Sequence, residues 1–136
     1  MQAISGRLRK TLARGWAPAA GLLVLAYGII CWTIGSGVND VLSRAARHHP
    51  GKGSEALIAV MTSEEFPLGE RNRAVWALGQ LGDAEAVPSL EALVTGKPCE
   101  HATSICQYEL KKAIRQCRGG LNITRWAWRP FVFSRS

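Results

Sequence analysis

The stretch Gly15 to Asn39, GWAPAAGLLVLAYGIICWTIGSGVN, organises the chain because its 25 residues include no Asp, Glu, Lys, Arg or His. An α-helix rises about 1.5 Å per residue, so about 20 apolar residues cross the ~30 Å hydrocarbon core of a bilayer. The sequence therefore predicts a transmembrane helix at residues 15–39, and every other segment is placed relative to a membrane.

Basic residues lie on both sides of this stretch. The arm at residues 1–14 carries four Lys or Arg and no acid, whereas Arg44, Arg47 and Lys52 follow the span. The positive-inside rule then favours, by one charge, a cytoplasmic N-terminus and a periplasmic C-terminal domain. The apolar run is longer than the 7–15 residues of a cleaved signal peptide, which favours an uncleaved, single-pass anchor.

The helix is expected to continue beyond the membrane surface. Val38, Val41, Leu42 and Ala45 recur at helical spacing, and Pro50 with Gly51 ends the pattern, so one long helix to residue 49 is predicted. Within the span, small residues could admit a neighbouring helix; these are Gly28, Gly35 and Gly37.

Charge is distributed in blocks along the chain. The net charge of +7 divides into +6 for residues 1–53, −6 for 54–109 and +7 for 110–136. Lys and Arg beside an apolar span are typical of membrane proteins, and no single basic folded face with stacking aromatics is evident. These features argue against nucleic acid as the partner.

The remainder of the chain shows helical periodicity. Ser54 to Glu65 begins with an N-cap residue and an acidic first turn, and Ser104 to Arg118 begins with a capping-box pair, Ser104 and Gln107. Between them, one apolar stripe ends at Gly82 and a second runs from Ala86 to Val94. Two antiparallel helices joined by a tight Gly82-Asp83 turn are predicted here.

The string R-x-x-A-x-x-A-L-G-x-L-G-D-x-x-A-V-P-x-L, at Arg71 to Leu90, resembles the HEAT repeat, in particular the short bacterial type first described in phycobilin lyases. The resemblance implies an all-α solenoid in which helix pairs bury their apolar faces by stacking on neighbours. Residues 50–120 are expected to form about one full repeat between two half repeats. So short a solenoid leaves helix faces that the membrane, the tail or a partner protein would cap.

Three cysteines and a histidine lie close together, at Cys99, His101, Cys106 and Cys117. Tetrahedral zinc would need four such ligands, but Cys106 and Cys117 on one helix are about 16 Å apart along its axis. A metal site would then rest on Cys99, His101 and Cys106 alone. The cysteines could instead form a Cys99–Cys106 disulfide, which an oxidising compartment would favour, or remain free thiols.

The tail at residues 121–136 alternates apolar and other residues, and it is expected to be irregular. Trp and Arg are enriched at protein interfaces and at membrane surfaces. The tail could cap the last helix, lie on the membrane or bind a partner protein. The candidate contact residues of the repeat and the tail are Arg71, Arg73, Trp76, Arg125, Trp126, Trp128 and Arg129, with core packing as the alternative for Trp76.

No phosphate-binding loop, nucleophile elbow or paired-histidine motif is present, and neither a cofactor nor an enzymatic activity is predicted. The expected function is that of a membrane-anchored protein-interaction module, such as a scaffold, an assembly factor or an accessory subunit of a membrane complex. Two alternatives are a lyase-like or thiol-dependent factor that uses Cys106, and binding of lipid or nucleic acid by the basic tail.

Overall fold

The computed structural model describes residues 3–51, 53–100 and 103–133, and the side chains of residues 18–51, 53–100 and 103–130. In this part of the chain the fold is all-α. Its helices are α1 (Ala3–His48), α2 (Gly53–Thr62), α3 (Leu68–Leu81), α4 (Val87–Glu91), α5 (Gln107–Cys117) and α6 (Arg125–Phe133), with a 3₁₀ turn at Ala84–Ala86. The side chains of the arm at residues 1–14, and all of Lys52 and His101, lie outside the described residues.

The helix α1 is continuous through the apolar stretch and beyond it. Pro18 lies inside it without ending it. The chain leaves the helix at His49 and turns through Pro50 and Gly51 into α2. The apolar stretch and the residues that follow it to His48 therefore belong to one helix.

The core forms where α2, α3, α4 and α5 pack together and against the second half of α1. The largest fully buried side chains are Val38, Leu57, Met61, Val75, Leu78, Leu90 and Leu110. Val38 and Ala45 of α1 and Trp128 of α6 belong to this same cluster. The packed unit thus extends on both sides of residues 50–120.

The turn between the two helices of the repeat is built as its sequence indicates. Gly82 has φ 63° and ψ 40°, and its N–H donates to the carbonyl of Leu78, which ends α3. The carboxylate of Asp83 then accepts the N–H of Glu85 at 3.1 Å. The second helix, α4, ends at Glu91, whereas the apolar stripe extends to Val94. Tight turns follow at Leu93 and Val94, and the Val94 side chain is exposed.

The helix α3 packs closely against α5 at Gly79. A β-carbon at this position would lie 2.6 Å from Gln116 Oε1 and 2.9 Å from the Cα of Ala113. Contacts this short do not occur for real side chains, so glycine is required where these two helices cross.

The predicted capping box of α5 is wrong. The Ser104 hydroxyl donates to the Glu100 carbonyl in a preceding turn, and the helix begins three residues later than expected. The Gln107 amide instead holds the α4–α5 connection, accepting from the Thr95 N–H and donating to the Leu93 carbonyl. Asn72 of α3 supplies a partner for this helix end, because its Oδ1 accepts the Cys106 N–H at 2.9 Å.

The expectation of an irregular tail is also wrong, because residues 125–133 form α6. Asn122 Oδ1 accepts the Arg125 N–H at 3.3 Å at the start of this helix. Trp126 is 82% exposed and Trp128 is 3% exposed. Residues two apart share a face in a strand but point to opposite sides of a helix. The helix therefore explains why one of these two tryptophans is exposed and the other is buried. The helix packs on α1 and α3.

Candidate interaction surface

Residues 18–30 of α1 present an apolar surface to the outside. From Pro18 to Ile30 every side chain is exposed, including Leu22, Leu23, Val24 and Leu25 at 60–73%. We call this segment, residues 18–30, the exposed apolar segment. Together with the rest of α1 as far as His48, it has the length and composition of a membrane span, which signal sequences and core helices can also have. Within residues 18–30, no side of the helix is buried.

The second half of α1 has a different environment. Beginning at Cys31, one side of the helix is buried at Cys31, Gly35, Val38 and Ala45. These positions recur at intervals of three, four and seven residues, as expected for one helix face. The change of environment therefore falls inside the stretch at residues 15–39, which is uniform in its lack of charge.

Two glycines of α1 allow the other helices to approach. A β-carbon on Gly35 would lie 3.0 Å from the Cβ of Trp128, and one on Gly37 would lie 3.2 Å from the Trp76 ring. A β-carbon on Gly28, in contrast, would meet nothing within 4 Å. Gly35 and Gly37 thus admit helices of the same chain, and Trp76 is half-buried where it packs against α1.

The segment before α6 is fastened beside the exposed apolar segment. The Tyr27 hydroxyl donates to the Ile123 carbonyl at 2.7 Å. Large apolar side chains near these two residues in the sequence are exposed: Trp32 by 77%, Leu121 by 89%, Ile123 by 66% and Trp126 by 82%. We call Tyr27, Trp32 and Trp126 the aromatic collar. Amphipathic aromatic rings of this kind are enriched at the level of lipid headgroups.

A small groove lies between α1, α2 and the start of α3. Its volume is about 20 Å³, which is enough for a single water molecule and too small for an organic ligand. Its polar rim includes Arg44, which forms an ion pair with Asp40 at 2.6 Å, and the exposed side chain of Arg73. The rings of His48 and Phe66 meet edge to face with their centroids 5.3 Å apart. The remaining lining residues are Val41, Ala45, Val60 and Glu70.

The predicted contact residues divide into two groups. Arg71 donates from Nε to the Met61 carbonyl at 3.0 Å, Trp128 is buried, and the Arg125 guanidinium lies against Gly82. These three side chains take part in packing within the chain, whereas Arg73, Trp126 and Arg129 are exposed. The exposed residues do not form one patch, because Arg73 borders the groove and the other two lie on α6.

The cysteines also divide into a pair and two separate residues. The sulfur atoms of Cys99 and Cys106 are 3.5 Å apart, with no bond between them. Cys117 is buried in the core, where its Sγ donates to the Leu78 carbonyl, and Cys31 is buried on α1. Among the described residues, no group of three or more His, Cys, Asp or Glu is placed to hold a metal ion, and His101 lies outside them.

Sequence reasoning missed the contacts of Tyr27 and Asn72. Tyr27 lies in an apolar run, where a hydroxyl gives no indication of a distant carbonyl partner. Asn72 occupies a variable position of the repeat string, and its helix-capping role depends on a residue 34 positions later. Neither contact has a local sequence signal.

Comparison with known proteins identifies the repeat and no more of the chain. Residues 70–95 match the family model described as PBS lyase HEAT-like repeat, a segment that begins in α3 and ends after α4. Searches of curated proteins and of solved structures found no match. The HEAT-like repeat predicted from Arg71 to Leu90 is thereby confirmed. Repeats of this type form interaction or scaffold modules, and no catalytic family is matched.

Proposed function

We propose that the protein is a single-pass, membrane-anchored interaction module that acts as a scaffold, an assembly factor or an accessory subunit of a larger membrane complex. The observation that carries this proposal is the division of α1. Residues 18–30 expose only apolar and small side chains and that of Tyr27, and the helix from Cys31 to Ala45 is part of the repeat core. A helix that is exposed and apolar all round is stable in lipid but not in water.

The depth of insertion can be derived from helix length. Gly15 to Trp32 spans 18 residues of α1, which is about 27 Å of helix. This is close to the ~30 Å hydrocarbon core, with Arg14 at one end and the aromatic collar at the other. The insertion proposed here is shorter than residues 15–39, because the residues after Trp32 are partly covered by α3 and α6.

The orientation proposed is a cytoplasmic N-terminus and a periplasmic repeat domain. Four basic residues of the arm precede the span, whereas three follow it, at Arg44, Arg47 and Lys52. The positive-inside rule counts Lys and Arg near the span, so the difference favours retention of the arm in the cytoplasm.

The contact residues proposed for partner proteins are Arg73 at the groove and Trp126 on α6, which lie on separate parts of the domain. Both side chains are exposed, and Arg and Trp are the residue types that most often dominate binding energy at interfaces. The partner would be another protein of the same membrane, because anchoring confines the repeat domain to the membrane surface.

Purification of the full chain from its native membrane in mild detergent tests this function. The chain is expected to co-purify with a defined protein, and Arg73→Glu or Trp126→Ser is expected to reduce the amount recovered by about tenfold, which corresponds to about 1.4 kcal/mol. Lys97→Glu, a charge reversal at an exposed residue that is not one of the proposed contact residues, is the matched control. A chain that purifies alone as a monomer would contradict the proposal.

A further inference from the structure

The connection between α4 and α5 brings two cysteines together at the start of a helix. Cys99 lies in this connection and Cys106 occupies the N-cap position of α5. Their sulfur atoms are 3.5 Å apart, whereas a disulfide bond requires about 2.05 Å. Bond formation would bring the two sulfur atoms closer by about 1.5 Å.

Neighbouring hydrogen bonds hold the two cysteines in this arrangement. The Cys106 N–H is bound by Asn72 of α3 at 2.9 Å, and the Thr95 N–H is bound by Gln107 at 2.9 Å. The connection is therefore attached to the core on both sides of the thiol pair, so the sulfur atoms stay close without a covalent bond.

The two thiols differ in chemical environment. Cys99 Sγ accepts the Tyr108 N–H at 3.2 Å, in the first turn of α5, where free N–H groups and the helix dipole favour a negative charge. This hydrogen bond, then the one to Cys106 and the positive charge of Lys111, lower the pKa of Cys99. Cys99 is also partly exposed, whereas Cys106 is 7% exposed.

We propose that Cys99 and Cys106 form a reversible dithiol–disulfide pair in which Cys99 is the attacking thiol and Cys106 the resolving thiol. The oxidant is a low-molecular-weight disulfide. This redox site is independent of the membrane insertion and of the partner protein proposed above.

The reaction proceeds by thiol–disulfide exchange in two steps. The Cys99 thiolate attacks one sulfur of the oxidant, forms a mixed disulfide and releases the other sulfur as a thiolate. Cys106 then loses its proton to solvent and attacks Cys99 Sγ, which forms the Cys99–Cys106 bond and releases the second thiolate. Two electrons pass from the protein to the oxidant, which leaves as two thiols.

Oxidation would close an eight-residue ring from Cys99 to Cys106 and fix the α4–α5 connection to the first turn of α5. Reduction would leave the connection held by its hydrogen bonds alone. The bond thus adjusts the rigidity of one end of the repeat domain.

The test uses the full chain in detergent, incubated in buffers of oxidised and reduced glutathione and then alkylated under denaturing conditions. We expect a species that carries two alkyl groups, whereas the fully reduced chain carries four, with Cys99 joined to Cys106 in the peptide map. Cys31 and Cys117 are the internal controls, and both should remain available for alkylation. A bond between any other pair, or none under oxidising conditions, would overturn the proposal.

Matched variants test the assignment of roles. Cys106→Ser is expected to accumulate a mixed disulfide of Cys99 with glutathione, whereas Cys99→Ser should react at least about tenfold more slowly with glutathione because Cys106 is buried. If either variant fails to fold, timed alkylation of the wild-type chain replaces it, with Cys99 expected to react before Cys106 and Cys117. Equal or faster labelling of Cys106 would refute the assignment.

Discussion

At the scale of single residues, the domain depends on polar side chains that bind the ends of distant helices. Asn72 binds the start of α5, Arg71 binds the Met61 carbonyl near the end of α2, and Asn122 Nδ2 donates to Gln80 Oε1 at 3.0 Å. Each bond joins segments that are separated in the sequence and satisfies a group that packing alone would leave without a partner.

Removal of the Asn72 amide should weaken the domain. Asn72→Ala is expected to lower the free energy of unfolding by about 1 kcal/mol, because the Cys106 N–H loses its acceptor at a helix start. Asn72→Asp keeps an acceptor oxygen and is the matched control, with a smaller effect. Denaturant unfolding followed by circular dichroism measures both variants, and equal stability of Asn72→Ala and wild type would contradict this role.

The buried thiol of Cys117 should make stability fall at alkaline pH. Burial, and to a lesser extent the charge of Asp83, raises the pKa of Cys117 to about 11. The unfolded chain has a lower pKa of about 8.5, so from about pH 8.5 to about 11 the unfolded state loses its proton first. The stability contributed by the neutral thiol is thus complete below that range and is lost as pH rises through it.

Comparison with Cys117→Ser isolates this effect, because serine does not ionise and keeps a donor for the Leu78 carbonyl. The free energy of unfolding measured at pH 7.5 and pH 10 should fall more for the wild-type chain than for the variant, even if the variant is less stable at both values. An equal loss of unfolding free energy in the two proteins would show that the pKa of Cys117 is the same in the folded and the unfolded state.

At the scale of elements, the contact between α1 and α6 depends on Gly35. Gly35→Leu would force side-chain atoms into Trp128, which is held by packing and has no hydrogen-bond partner for Nε1 among the described residues. Overpacking of this kind costs about 1–3 kcal/mol, so α6 should detach and the Arg125–Trp126 bond should be cleaved by trypsin about tenfold faster.

Gly28→Leu is the matched control, because the same substitution on the same helix meets nothing within 4 Å. Cleavage of this variant in detergent should proceed at the wild-type rate. Equal cleavage rates for the Gly35 and Gly28 variants would mean that α6 does not depend on this approach.

The helices differ in how far the sequence alone could predict them. The stripe of α3, its stop at Gly82 and the Asp83 turn result from local rules and are present in the structure. The start of α5 was mispredicted because the Gln107 side chain binds the preceding loop instead of capping the helix. The helix α6 was missed because Trp126 and Trp128 alternate in the sequence, although they lie on opposite sides of a helix. Tertiary contacts decide both cases, and a single sequence does not contain them.

At the scale of the whole molecule, α1 connects two environments. Hydropathy does not distinguish them, because Val38 and Gly35 are equally compatible with lipid and with a protein core, so the sequence places the end of the span at Asn39. The burial pattern indicates a change of environment near Cys31 instead. The repeat domain would then lie directly on the membrane surface, with α1 as its first core helix and as its anchor.

The most direct test of this account is a scan of α1 with a nitroxide introduced as a non-natural amino acid at single exposed positions of the chain in lipid nanodiscs. Collision with oxygen, which concentrates in hydrocarbon, is compared with collision with a water-soluble nickel chelate. We predict that oxygen dominates at Leu22 and Leu25, that the two are similar near Trp32, and that nickel dominates at Asp40 and Ser43. Nickel dominance at Leu22 and Leu25 would contradict membrane insertion, and oxygen dominance through Asn39 would contradict the division of α1 between lipid and core.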